Sequence, residues 1–249
     1  MPGSPAARTP IDQFAQSLAL GMVPLGRGFS YFAVAPIPDE DLREYLHEPI
    51  AALPSLVCDA IAPIKVILVP YLERESPNAI PVVAYDTPAA KRLIRSAYLL
   101  NDGNTLFFSV REEHPSDYHQ FFFNTLAHLL SRHLTPRLQQ EYVDLLAKEF
   151  EEQVHGEVDE PSWRAKQALP RRSNGHSPNL KSRSFRDYAT QSFVDTMTLY
   201  LHGICCDIDV ERGPRQMPSR WLRKRLEALY KMFPPPEGRA VFPEQLGGR

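Results

Sequence analysis

The sequence predicts an α+β fold, a small mixed or antiparallel sheet packed against several helices. Three observations point there. The first half carries short runs rich in β-branched and aromatic residues, FSYFAVA at 29–35 and IKVILVPYL at 64–72. Asp102-Gly103-Asn104 separates two further apolar runs, 97–101 and 105–110, as a hairpin turn does. The second half holds segments of helical length, and two of them, near 117–134 and 186–202, are apolar around most of their circumference, as buried helices are.

The elements follow in order. Residues 1–9 read as a flexible tail and 10–249 as one α+β domain. Pro10 suits a helix start, and Phe14 and Leu18 recur at helical spacing, so a helix is expected over 10–22. A strand is expected over 29–35, and Asp39 is a candidate cap for a helix through Leu42 and Leu46. Pro70 inside the 64–72 run predicts an edge strand, because proline donates nothing to a ladder. A short strand at 80–85 and a helical turn at 89–95 precede the hairpin. An amphipathic acidic helix is expected over 138–154. Residues 155–184 are polar, proline-bearing and locally basic, and read as a mobile insertion. Gly203 is a plausible helix stop. A last helix, 221–233, places Trp221, Leu222, Leu226, Leu229 and Phe233 toward a core, and Pro234-Pro235-Pro236 ends it.

Bulk properties exclude several classes. The 249 residues carry 28 Lys and Arg against 30 Asp and Glu, so no global field draws the chain to nucleic acid. No apolar run reaches the ~20 residues of a membrane span. Three cysteines, two of them adjacent, make a poor disulfide framework, and no CxxC spacing suggests structural zinc. The expectation is a soluble, cytoplasmic chain. Cys205-Cys206 with Asp207 and Asp209 is a weak redox or metal candidate, against a plain role at a helix end. The serines and basic residues of 166–186 suit a phosphorylation-tuned loop, against a simple solvated one.

The two apolar helices hold the polar residues of interest. Asn124 and His128 are four apart and share a face. His133, five beyond His128, points about 140° away, so the two histidines do not grip one metal easily. Residue by residue, a hydrogen-bonded histidine at the core or its rim explains His128. On the second helix Gln191, Asp195, Thr198 and His202 form a continuous polar stripe. A solvated face explains such a stripe most simply, and a stripe turned into a cleft is the sharper reading.

The order of elements, with Asn124-Thr125-Leu126-Ala127-His128 on one buried helix and Gln191-Ser192-Phe193-Val194-Asp195 on the next, resembles the zincin metallopeptidases of the glutamate type. SFRDYATQSFVDTMTLYL resembles the family's helix around its third ligand, and RWLRKRLEALYKMF its closing helix. The resemblance covers about residues 54–233 in layout. It implies a degenerate HExxH…ExxxD motif. The family's zinc ligands are two histidines and a glutamate, and the matching positions here are Asn124, His128 and Gln191. Neutral amides are poor zinc ligands. The family's general base falls at Thr125, which cannot take a proton from a metal-bound water near neutral pH. Only His128 and Asp195 match.

The function expected from this resemblance is a non-catalytic zincin-like protein, a pseudoenzyme that binds a protein partner or serves as a structural subunit, with no cofactor. Asn124, Thr125, His128, Gln191 and Asp195 are then a relic cluster. The alternative is a metal-dependent peptidase or hydrolase with atypical ligands drawn from His128, Asp195, His202 or His133, in which zinc is the cofactor. A third reading is an unrelated α+β binding scaffold, with Gln191 and Asp195 exposed.

Overall fold

The structure, a computed structural model, describes residues 8–18, 21–100, 102–111, 115–170, 178–206 and 216–242. It is α+β, with two small sheets, and the chain divides into two compact units: residues 1–51 with 61–125, and residues 52–60 with 126–249.

The first unit is built on a mixed five-stranded sheet. Its order is β2 (Val23–Gly26), β3 (Phe29–Ala33), β4 (Ile64–Val69), β9 (Thr105–Ser109) and β8 (Ala97–Leu99). The three central strands run parallel and the flanking two antiparallel. All five residues of β9 are buried, which requires cover on both faces. Strand alternation sorts that cover. Ile67, Val69 and Phe107 pack with Ile11 and Phe14 of α1 (Ile11–Ser17). On the other face Phe108 meets Tyr118 of α5 (Pro115–Ser131), with ring centroids 4.9 Å apart. The hairpin forms as expected: Gly103 adopts φ 78°, and the Asp102 carboxylate accepts from the backbone N–H of Asn104 and Thr105.

A second sheet, antiparallel, has the order β1 (Thr9–Pro10), β6 (Val82–Ala84), β5 (Tyr71–Arg74) and β7 (Leu93–Arg95). Pro70 corrects one expectation. The 64–72 run is two strands: β4 is central in one sheet, β5 lies in the other, and Pro70 is the joint between them. The proline interrupts pairing at the point where the chain changes sheet, and its carbonyl accepts from Ser109 Oγ at 2.9 Å. Two other expectations shift. Asp39 opens α2 (Asp39–Leu42) from its first turn and does not cap it. Residues 93–95 are strand β7, not helix. A π-helical turn, Arg43–His47, and α3 (Glu48–Ala52) follow α2, and α4 (Ser55–Ile61) precedes β4.

The second unit is helical. Its centre is α8 (Arg183–Cys205), 23 residues long and buried at thirteen of them. Ser182 caps it by accepting from Phe185 N, and it runs through Gly203, the stop expected from sequence. Around it lie α6 (Pro136–Glu151), α7 (Glu160–Gln167) and α9 (Ser219–Met232). Thr135 caps α6 and Pro136 occupies its first turn.

The tail and the insertion look different from their sequence reading. Residues 1–7 lie outside the described residues, and Thr9–Pro10 pair with β6. Within 155–184, the residues of α7 form regular structure and Glu157 and Ser162 are fully buried. Asp159 caps α7 by accepting from Glu160 N at 2.6 Å, a signal overshadowed by the polar composition. Residues 171–177, with Arg171, Arg172, Ser173 and Ser177, lie outside the described residues, as do Asp207 and Asp209.

Candidate functional site

On α5, Asn124 and Thr125 close the first unit, and His128 lies in the second. The Thr125 hydroxyl donates to the Phe121 carbonyl one turn back at 2.7 Å, a bond within its own helix. His128 is exposed by surface, yet the protein packed against it lowers its pKa by desolvation first and by the Arg132 charge second. Its ring is therefore biased toward the neutral form.

The stripe on α8 is not a solvated face. Asp195 is 4% exposed and Thr198 2%, while Gln191 and His202 are half-buried. Gln191 and Asp195 are brought together: Gln191 Nε2 donates to Asp195 Oδ1 at 2.8 Å. Asp195 Oδ2 accepts from the backbone N–H of Ser162 at 2.8 Å. That N–H belongs to the first turn of α7, where helix geometry leaves donors unpaired. Asp195 thus ties the start of α7 to α8. Burial raises its pKa, against the lowering by its Ser162 and Gln191 hydrogen bonds. Among the described residues, neither His128 nor Asp195 joins a group of three His, Cys, Asp or Glu side chains with ligand atoms within 4.8 Å of one another.

The densest polar chemistry lies one turn away and was not read from the sequence. Arg225 of α9 is fully buried, 0% exposed. Its guanidinium forms two forks. Nε and Nη2 donate to Glu149 at 2.8 and 2.5 Å, and Nη1 and Nη2 donate to Glu157 at 2.7 and 3.0 Å. Nη1 also reaches Ser192 Oγ at 2.8 Å. Tyr188 donates to Glu157 at 2.5 Å, and Lys166 Nζ stands 3.1 Å from the same carboxylate. Tyr142 donates to the Ser192 carbonyl and contacts the Thr196 hydroxyl. Two cations and two carboxylates balance, which makes their burial tolerable. Burial would raise the Glu157 pKa, but Arg225 beside it and then Lys166 hold it below the usual range. The Tyr142 hydroxyl is pushed up to about 12, chiefly by burial.

Helical spacing carried a signal for this network. Arg225 sits four residues from Trp221 and four from Leu229, on the apolar seam of α9. Glu149 sits on the seam of α6 after Tyr142 and Leu146. Opposite charges on two core-facing seams call for each other. The three cysteines are unbridged. No protein-family model, curated protein or solved structure matches the chain.

Proposed function

We propose that the chain is a non-catalytic protein that works by binding a protein partner, on a zincin-like pair of buried helices whose catalytic positions have been given over to structure. The observation that carries this reading is the use of Asp195. Both of its oxygens accept hydrogen bonds from fixed donors, Gln191 Nε2 and Ser162 N, so the one acidic side chain of the relic motif serves as a helix tie. Thr125, where the family has its base, is spent within its own helix.

Partner binding draws support from the antiparallel sheet of the first unit. Leu93 and Ile94 of β7, at the end of the sheet order, are 40% and 42% exposed. Ile80 and Tyr85, either side of β6, are also exposed. Exposed apolar side chains on a strand at the end of a sheet favour another polypeptide. Proximity labelling in cells tests this, comparing the wild type with Leu93→Asp/Ile94→Asp. The expected result is a set of labelled proteins lost in the variant, with its melting temperature unchanged. Identical labelling by both would remove the support. Zinc-dependent peptidase activity abolished by His128→Ala and by Asp195→Asn would overturn the non-catalytic reading itself.

A further inference from the structure

We propose that the cleft beside the N-termini of α6 and α8 binds an amphipathic anion, an aliphatic or aromatic body carrying one acidic head group. This does not rest on the partner-binding reading. The cleft lies wholly within the second unit and measures about 550 Å³, the size of a small-molecule site. Leu134, Val143, Leu180 and Phe193 make an apolar wall, and Leu180 is exposed enough to be covered by a ligand. Lys181 and Arg186 stand at the rim, both exposed. Among the described residues, no acidic side chain lines the cleft.

The electrostatics all carry one sign. Pro136 of α6 and Arg186 of α8 come from the starts of the two helices, and neither helix has an acidic residue in its first turn. Thr135 and Ser182 each accept from one backbone N–H there, and no first-turn carboxylate offsets the positive ends. The nearest acids along the same helices are held by neighbours. Gln140 donates to Asp144 at 2.7 Å, Arg137 pairs with Glu141, and Arg183 lies 3.9 Å from Asp187. Arg186 donates to the Lys181 backbone carbonyl at 3.2 Å, which holds the guanidinium beside the chain at Lys181. An apolar wall with a cationic rim selects a ligand by chain and by charge together.

The test is a titration of the full chain with decanoate and with decyltrimethylammonium, which share a chain and differ in charge. Binding is read by calorimetry and by displacement of anilinonaphthalene sulfonate. The expected result is saturable binding of decanoate, about tenfold tighter than the cation, the effect of one charge-assisted hydrogen bond. Lys181→Glu/Arg186→Glu, both at exposed positions, abolishes that preference while leaving the melting temperature unchanged. Val143→Trp, which fills the cleft, weakens both ligands. Equal affinity for the two ligands, a preference that survives the double reversal, or no saturable binding would each overturn the proposal.

Discussion

Arg225 and Asp195 are buried charges with opposite consequences. Arg225 answers two carboxylates, so its removal takes from Glu149 the cation that the structure gives it and leaves Glu157 with Lys166 alone. Breaking such a pair costs about 3–5 kcal/mol. Arg225→Ala is expected to lose that much in urea unfolding, far more than any exposed arginine of α9. Glu157 sets the sign of the acid response. Its folded pKa lies below its unfolded value, so its contribution is complete above about pH 4.3 and is lost as pH falls through the folded value. Glu157→Gln is expected to be less stable at pH 7 and to show a shallower loss of stability in that acid window. An unchanged pH profile would show that Arg225 does not hold Glu157 charged. Asp195 behaves the other way. Its folded pKa is raised by burial, so its ionisation costs stability as pH rises past the ordinary aspartate range. Asp195→Asn keeps the acceptor for Ser162 N and is expected to melt within a degree or two of the wild type near pH 7. Asp195→Ala loses a hydrogen bond to a charged group and is expected to cost about 1.5–3 kcal/mol.

At the scale of elements, Gly156 is the most sensitive joint. It adopts φ 83°, and a Cβ there would stand 2.4 Å from the Gln216 carbonyl oxygen, beside the bridge between Glu157 and Gln216. That bridge helps to place Glu157 in the Arg225 network. Gly156→Ala is expected to destabilise the second unit by well over 1 kcal/mol, since backbone conformation and space both oppose it. Gly103, at φ 78° with open space around it, isolates the conformational part. Gly103→Ala is expected to cost only about 1 kcal/mol. Equal costs at the two sites would show that the contact with Gln216 is soft. The elements themselves were largely legible. The strands around Asp102-Gly103, the α5 and α8 helices and the amphipathic α9 all follow from periodicity and turn chemistry. What was hidden depends on tertiary context. Pro70 reads as an edge signal because proline breaks pairing, and only the fold shows that the break separates two sheets. Residues 155–170 read as loop because their composition is polar, yet Glu157 pairs with Arg225 of α9, Ser162 N donates to Asp195 of α8, and Lys166 pairs with Glu157. The stripe on α8 reads as solvated because polarity usually faces water, yet Asp195 within it is buried against the start of α7.

For the whole molecule, the polar positions of α5 and α8 were legible in the sequence, and their use was not. Sequence alone places Gln191 and Asp195 on one helix face. It does not show that the donor completing Asp195 is a backbone N–H at the start of α7. Among the described residues, no helix is long and apolar enough to cross a membrane. The central claim is that Asp195 serves the fold and holds no catalytic metal. The most direct measurement is the melting temperature of the wild type, His128→Ala and Asp195→Asn, each in excess zinc and in chelator. The expected result is that any zinc-induced shift of the wild type persists unchanged in both variants, and that Asp195→Asn in chelator melts close to the wild type. A zinc-induced rise of the wild type that disappears in both variants would contradict it, because His128 and Asp195 would then be holding the metal.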